Sequence, residues 1–157
     1  MMESTNPFKR GESVARIKHL EATRILQHLF NASSFVGIDF GSGPNHHLLY
    51  FKRGDNESWL SIEGPWYVHS LGPSFNEDEQ LHHLIGLRRE RVCSIRLSED
   101  TPHLELTFES GAVLFVNGYH EQYESWQAGD ARPLGGEHFL LVAMPQGDLA
   151  VFAEEDV

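Results

Sequence analysis

The stretch His103-Leu-Glu-Leu-Thr-Phe108 decides how this chain folds. Leu104, Leu106 and Phe108 recur at every second position, while His103, Glu105 and Thr107 occupy the alternate ones. Period two puts the apolar set on one face of a strand and the polar set on the other, as in a sheet with one face on a core. Ser110-Gly111 follows as a tight turn, leading into a second strand over Ala112 to Val116. The same pattern extends back to Val92 and forward to strands at Phe139 to Met144 and Leu149 to Ala153. These last two flank the turn Pro145-Gln-Gly-Asp148, in which proline fixes φ and glycine supplies a positive one.

Upstream, the period changes. Ala22, Ile25, Leu26, Leu29 and Phe30 share one face at 3.6 residues per turn, which predicts a helix from Ser13 to Asn31, with Ser13 as its cap. Four short strands follow, at Phe35 to Phe40, Leu48 to Lys52, Trp59 to Glu63 and Tyr67 to Ser70. Turn residues separate them, among them Gly41-Ser-Gly-Pro44 and Gly64-Pro65. Asn76 with Glu79 three residues on reads as a variant capping box for a short second helix that carries Leu81, Leu84 and Ile85 and stops at Gly86. The expected architecture is α+β in a single domain over residues 1–157, with an N-terminal helix and a short second helix packed on mainly antiparallel β-sheet.

Charge is unevenly distributed. The net formal charge is −11, and from Leu97 onward Arg132 is the only lysine or arginine among twelve acids. A field of that sign disfavours nucleic-acid phosphates and anionic membrane, and favours a basic protein partner. No stretch approaches the ~18 apolar residues of a membrane span, and the first ten residues lack the apolar run of a secretory signal. With Cys93 as the only cysteine, a reducing, cytoplasmic setting is expected, with the chain beginning near Met1. Cys93 lies in the apolar stretch Arg91-Val-Cys-Ser-Ile95, where burial predicts an inert thiol.

Ten histidines raise the question of a metal. His46-His47 beside a strand point to opposite faces, and His82-His83 are adjacent on a helix, so neither pair makes a good chelate. His120 and Glu124, read as extended chain, lie roughly 13 Å apart. Gly41-Ser-Gly43 and Gly135-Gly136 lack the spacing of a phosphate loop, and Glu77-Asp78-Glu79 fits the positive end of a helix dipole. No Gly-x-Ser-x-Gly elbow occurs. No cofactor, metal or catalytic residue is expected.

One segment stands out: Tyr119-His-Glu-Gln-Tyr-Glu-Ser-Trp126, with Asp130 close behind. Aromatic groups with polar handles among carboxylates suit recognition of a basic protein, which makes Glu121, Tyr123, Glu124, Trp126 and Asp130 candidate partner-binding residues. The competing reading puts Tyr123 and Trp126 in the core and the glutamates in water.

The run Leu104-x-Leu-x-Phe108, Gly111, Leu114-x-Val116 and Tyr123-Glu-Ser-Trp126, preceded by Trp59-Leu-Ser-Ile-Glu-Gly-Pro-Trp66, resembles small bacterial proteins with a "YESW"-like element. Those proteins in turn resemble immunity proteins of polymorphic toxin systems. The likeness covers residues 59 to 127 and implies a cytoplasmic, non-enzymatic protein that neutralises a cognate toxin domain by binding it. The alternative is a small-ligand-binding domain or enzyme using histidines and carboxylates in a sheet-lined pocket.

Overall fold

A computed structural model describes residues 7–42, 46–69, 76–131 and 138–154. Those residues form an α+β fold of two antiparallel sheets and two α-helices. Helix α1 spans Pro7–Phe30, six residues earlier than the sequence pattern predicts. Proline at the first helical position is preorganised for the helix and loses no needed N–H there, so Ser13 lies inside α1 and is not its cap. Among the α1 side chains described, from residue 15 onward, the first buried one is Ala22, and Ile17 and Leu20 are exposed. The apolar stripe that signals the helix thus marks where it touches the core rather than where it begins. Arg53 donates to the carbonyls of Asn31 and His28, and Ser58 Oγ to that of Leu29, satisfying the orphan acceptors of its last turn.

Strands β1 (Ser34–Phe40), β2 (His47–Arg53) and β3 (Asn56–Ile62) form a meander. The chain then leaves this sheet through Glu63-Gly64-Pro65 and enters β4 (Trp66–Val68) of a second one. Helix α2 (Glu77–Gly86) starts at Asn76, whose Oδ1 accepts from the Glu79 N–H while its Nδ2 donates to the Glu79 carboxylate. The three acids of its first turn are therefore accounted for by the helix end. Strands β5 (Val92–Leu97), β6 (Leu104–Phe108) and β7 (Val113–Val116) complete the second sheet in the order β4-β7-β6-β5. A further strand, β8 (Trp126–Ala131), returns to the first sheet. It pairs with β3 on one side and β9 (His138–Ala143) on the other, and β10 (Leu149–Glu154) closes the order β1-β2-β3-β8-β9-β10. The sequence pattern did not single out β8 as a strand, although it is the one that joins the two meanders into one sheet.

The two sheets face each other over a contiguous core with α1 packed along β5, β3 and β8. Leu104, Leu106 and Phe108 are buried as the alternation requires, and Leu26 is buried with Ile25 and Leu29. Phe30 meets Phe51 edge-on at 5.0 Å, and Phe35 contacts both Phe51 and Phe108, linking α1 and the two sheets. Cys93 departs from expectation: it is exposed. The register with β6 slips between Val92 and Ser94, so Cys93 is the extra residue of a β-bulge and is turned away from the core. Around the β9–β10 turn, Gly147 has φ 79° as predicted, and Gln146 also adopts a left-handed φ of 65°. Residues Gly43, Ser70, Gly135 and Gly136 lie outside the described residues.

Candidate functional site: the cleft between the two sheet crossings

The chain passes between the sheets at Glu63–Pro65 and again at 117–125, and these crossings lie side by side. Glu63 N donates to Ser125 O at 2.9 Å, and Asn117 N to Pro65 O at 3.0 Å. Together they line a cleft of about 570 Å³ with His46 at its edge. Tyr119, His120, Tyr123 and Glu124 contribute side chains from the longer crossing. That volume lies within the range of small-ligand and side-chain pockets.

The longer crossing is not extended chain. His120 Nδ1 accepts hydrogen bonds from the backbone N–H groups of Gln122 (3.0 Å) and Tyr123 (3.1 Å), curling the segment into a turn. This corrects the reading of the segment as extended chain, and His120 and Glu124 border the same cleft. Both ends of the crossing are pinned. Ser125 N bonds to Ala143 O, Gln146 N to His120 O, and Asn117 Nδ2 to Tyr119 O. Gly118 N donates to His103 Nδ1 at 2.9 Å, and a Cβ on Gly118 would collide with the carbonyl oxygen of Pro102, so only glycine fits that approach.

Charge and exposure divide the five candidate residues. Tyr123 is 66% exposed, and Glu121 is exposed beside it. Glu124 is half-buried and accepts from Gln127 Nε2 at 2.7 Å. The same amide reaches Glu63 Oε2 at 3.3 Å, so one NH2 group bridges two carboxylates. Among the described residues no salt bridge reaches Glu63, Glu121 or Glu124. Trp126 corrects the surface reading: it is fully buried, and its indole N–H donates to Pro102 O at 2.7 Å. Asp130 is at the far end of β8, on the inner face beside Ser58, where its carboxylate accepts from Phe139 N at 2.8 Å. Four residues of strand separate it from Trp126, about 13 Å, so it is not part of this rim.

Tyr119 and Ser125 belong to the segment that stands out in the sequence but not to its five candidate residues, and the sequence pattern did not single out Glu63, Gln127 or His46 as contributors. One signal was present: Val116 and Trp126 are joined by nine residues without period, too many for a hairpin turn and suited to a crossing. Elsewhere, His47 packs edge-on against Phe40 and Trp66 inside the fold. His82 and His83 have ring centroids 6.3 Å apart and nearly perpendicular planes. Among the described residues no group of three or more His, Cys, Asp or Glu is placed to hold a metal ion, and no helix is long and apolar enough to cross a membrane. No protein-family model matches the chain, nor does any curated protein or solved structure.

Proposed function

We propose that this chain is a non-enzymatic, acidic binding protein of the bacterial immunity type, which neutralises a cognate toxin domain in the cytoplasm by docking it over the 117–125 crossing. One observation carries the reading. Two exposed tyrosines, Tyr119 and Tyr123, and carboxylates without salt-bridge partners among the described residues stand on a loop whose ends are fixed by backbone hydrogen bonds. Aromatic anchors with fixed backbone lose little entropy on binding, and unpaired acids around them favour a basic partner. The net charge of −11 and the resemblance of residues 59 to 127 to immunity-like proteins point the same way.

The test is co-expression with the toxin domain encoded by the directly upstream reading frame. Growth is rescued, a complex is recovered, and its association rate falls as salt rises, because steering between opposite charges is screened over about 8–10 Å. Absence of both rescue and complex refutes the proposal. The cleft itself favours a second reading, a small-ligand site using His46, His120, Glu63 and Glu124, since these side chains border one cavity of suitable volume.

A further inference from the structure

We infer that the cleft is the seat of a single arginine side chain of the partner, held between Glu63 and Glu124 and covered by Tyr119 and Tyr123. The inference rests on the binding reading above and names the chemistry of that same site.

Gln127 is the starting observation. Its Nε2 carries two hydrogens, and both are directed at carboxylates, Glu124 Oε1 at 2.7 Å and Glu63 Oε2 at 3.3 Å. An amide has the donors of a cation without the charge, so two acids are held close together with their charge uncompensated. Among the described residues neither meets a lysine or arginine. Like charges brought together attract a counter-cation more strongly than either alone. A second, independent observation lies beside them. Ser125 borders the cleft, is 1% exposed, and its hydroxyl has no hydrogen-bond partner. A buried hydroxyl without a protein partner is uncommon in a finished structure, and an N–H that enters the cleft would supply one.

The incoming group has to bridge two carboxylates, offer a further N–H and lie against aromatic rings. A guanidinium is planar, carries five donors in a fixed fork and stacks on aromatic faces, whereas an ammonium is a compact, strongly hydrated point charge. Tyr119 and Tyr123, which line the cleft, are 44% and 66% exposed, so each ring keeps open surface to offer such a side chain. A bare metal ion fits less well, because no group of three ligating side chains is gathered among the described residues.

The probe is the pentapeptide acetyl-Gly-Gly-Arg-Gly-Gly-amide, titrated into the full chain at pH 8 and followed by NMR. Its citrulline counterpart, which keeps the shape and loses the charge, and free L-arginine serve as controls. The arginine peptide binds with Kd on the order of 1 mM and shifts the Gln127 side-chain amide resonances, while citrulline is at least ~10-fold weaker, as loss of a charge-assisted fork requires. Glu124→Gln and Glu63→Gln each weaken the peptide ~10-fold, by the same loss of a charged acceptor. Ser125→Ala, which deletes an unmatched hydroxyl and so leaves folding intact, weakens it by a smaller factor. Equal binding of citrulline or an unmoved Gln127 amide at saturation overturns the inference. If the upstream toxin domain is neutralised equally by the Glu63→Gln/Glu124→Gln double variant, the arginine seat is wrong and the binding reading stands. If the peptide binds as described while no toxin is neutralised, the seat stands and the immunity reading falls.

Discussion

The 117–125 crossing and strand β8 are consecutive in sequence and alike in composition, yet they do opposite things. In the crossing, Tyr119 and Tyr123 are exposed, and the backbone is held by side-chain and main-chain bonds to three neighbouring segments. In β8, Trp126 and Ala128 are fully buried between β3 and β9, their partners fixed by the ladder. Aromatic content alone does not separate a recognition surface from a core. What separates them is whether the backbone enters a sheet, since a strand's pleat assigns each side chain a face whereas a crossing loop leaves its side chains to solvent.

The comparison breaks most decisively at Trp126. Trp126→Ala removes a wholly buried indole and the donor to Pro102 O, and costs about 3–5 kcal/mol of stability. Urea unfolding measures it, and any change in partner affinity tracks the unfolded fraction. A cost under about 1 kcal/mol would place the indole outside the core. Next comes Gly118, whose substitution by alanine forces a methyl group against Pro102 O. The expected cost is about 3 kcal/mol, the upper end for overpacking, or else a displaced crossing visible as changed Tyr119 and Tyr123 resonances. An unchanged stability and spectrum would show that the close approach at Pro102 does not hold in solution.

Tyr123→Ala acts on the other side of the comparison. Its ring contacts the His120 ring at 5.0 Å and is otherwise largely in water. Stability changes by no more than about 0.5 kcal/mol, as for surface substitutions, whereas affinity for the cognate toxin domain falls by about 2 kcal/mol, the mark of an interface anchor. Calorimetry of binding beside thermal unfolding separates the two. Lost affinity in proportion to lost folding would return Tyr123 to a structural role.

Most of the fold was legible because its signals are local. Period two at 104–108, the stripe from Ala22 to Phe30, and Asn76 with Glu79 each depend on residues a few positions apart. The structure places a strand, the core face of a helix and a cap there. What was not legible depends on partners distant in sequence. Strand β8 has Gly129 at its centre, a poor strand former that is needed because a Cβ there would meet Trp59 Cζ2 at 2.8 Å and Phe139 O at 2.6 Å. The bulge that exposes Cys93 is a matter of register against β6. The cleft requires two crossings far apart in sequence, Glu63–Pro65 and 117–125, to lie together, which no window of sequence contains.

The smallest effect sharpens the comparison, because both regions are tied to the same two residues by different chemistry. Strand β8 is tied through Trp126 to the carbonyl of Pro102, which does not titrate. The crossing is tied through Gly118 N to His103 Nδ1, which does. Burial lowers the His103 pKa from its ordinary 6.5, and the charge of Glu105, already engaged by Arg96, opposes this only in part. A lowered folded value means that the unfolded chain binds more protons in the window below 6.5. The stability associated with neutral His103 is therefore complete above 6.5, falls as pH drops through 6.5 toward the lowered folded value, and then levels off. Protonation also occupies Nδ1, so the Gly118 bond is lost. Hydrogen exchange corrected for intrinsic rate should thus show protection of the Gly118 amide decreasing between pH 8 and 5, while that of the Trp126 indole holds. In His103→Gln the decrease at Gly118 disappears. If both probes lose protection together in the wild type, acid is opening the whole fold, and the crossing is no more separable from the strand than its sequence suggested.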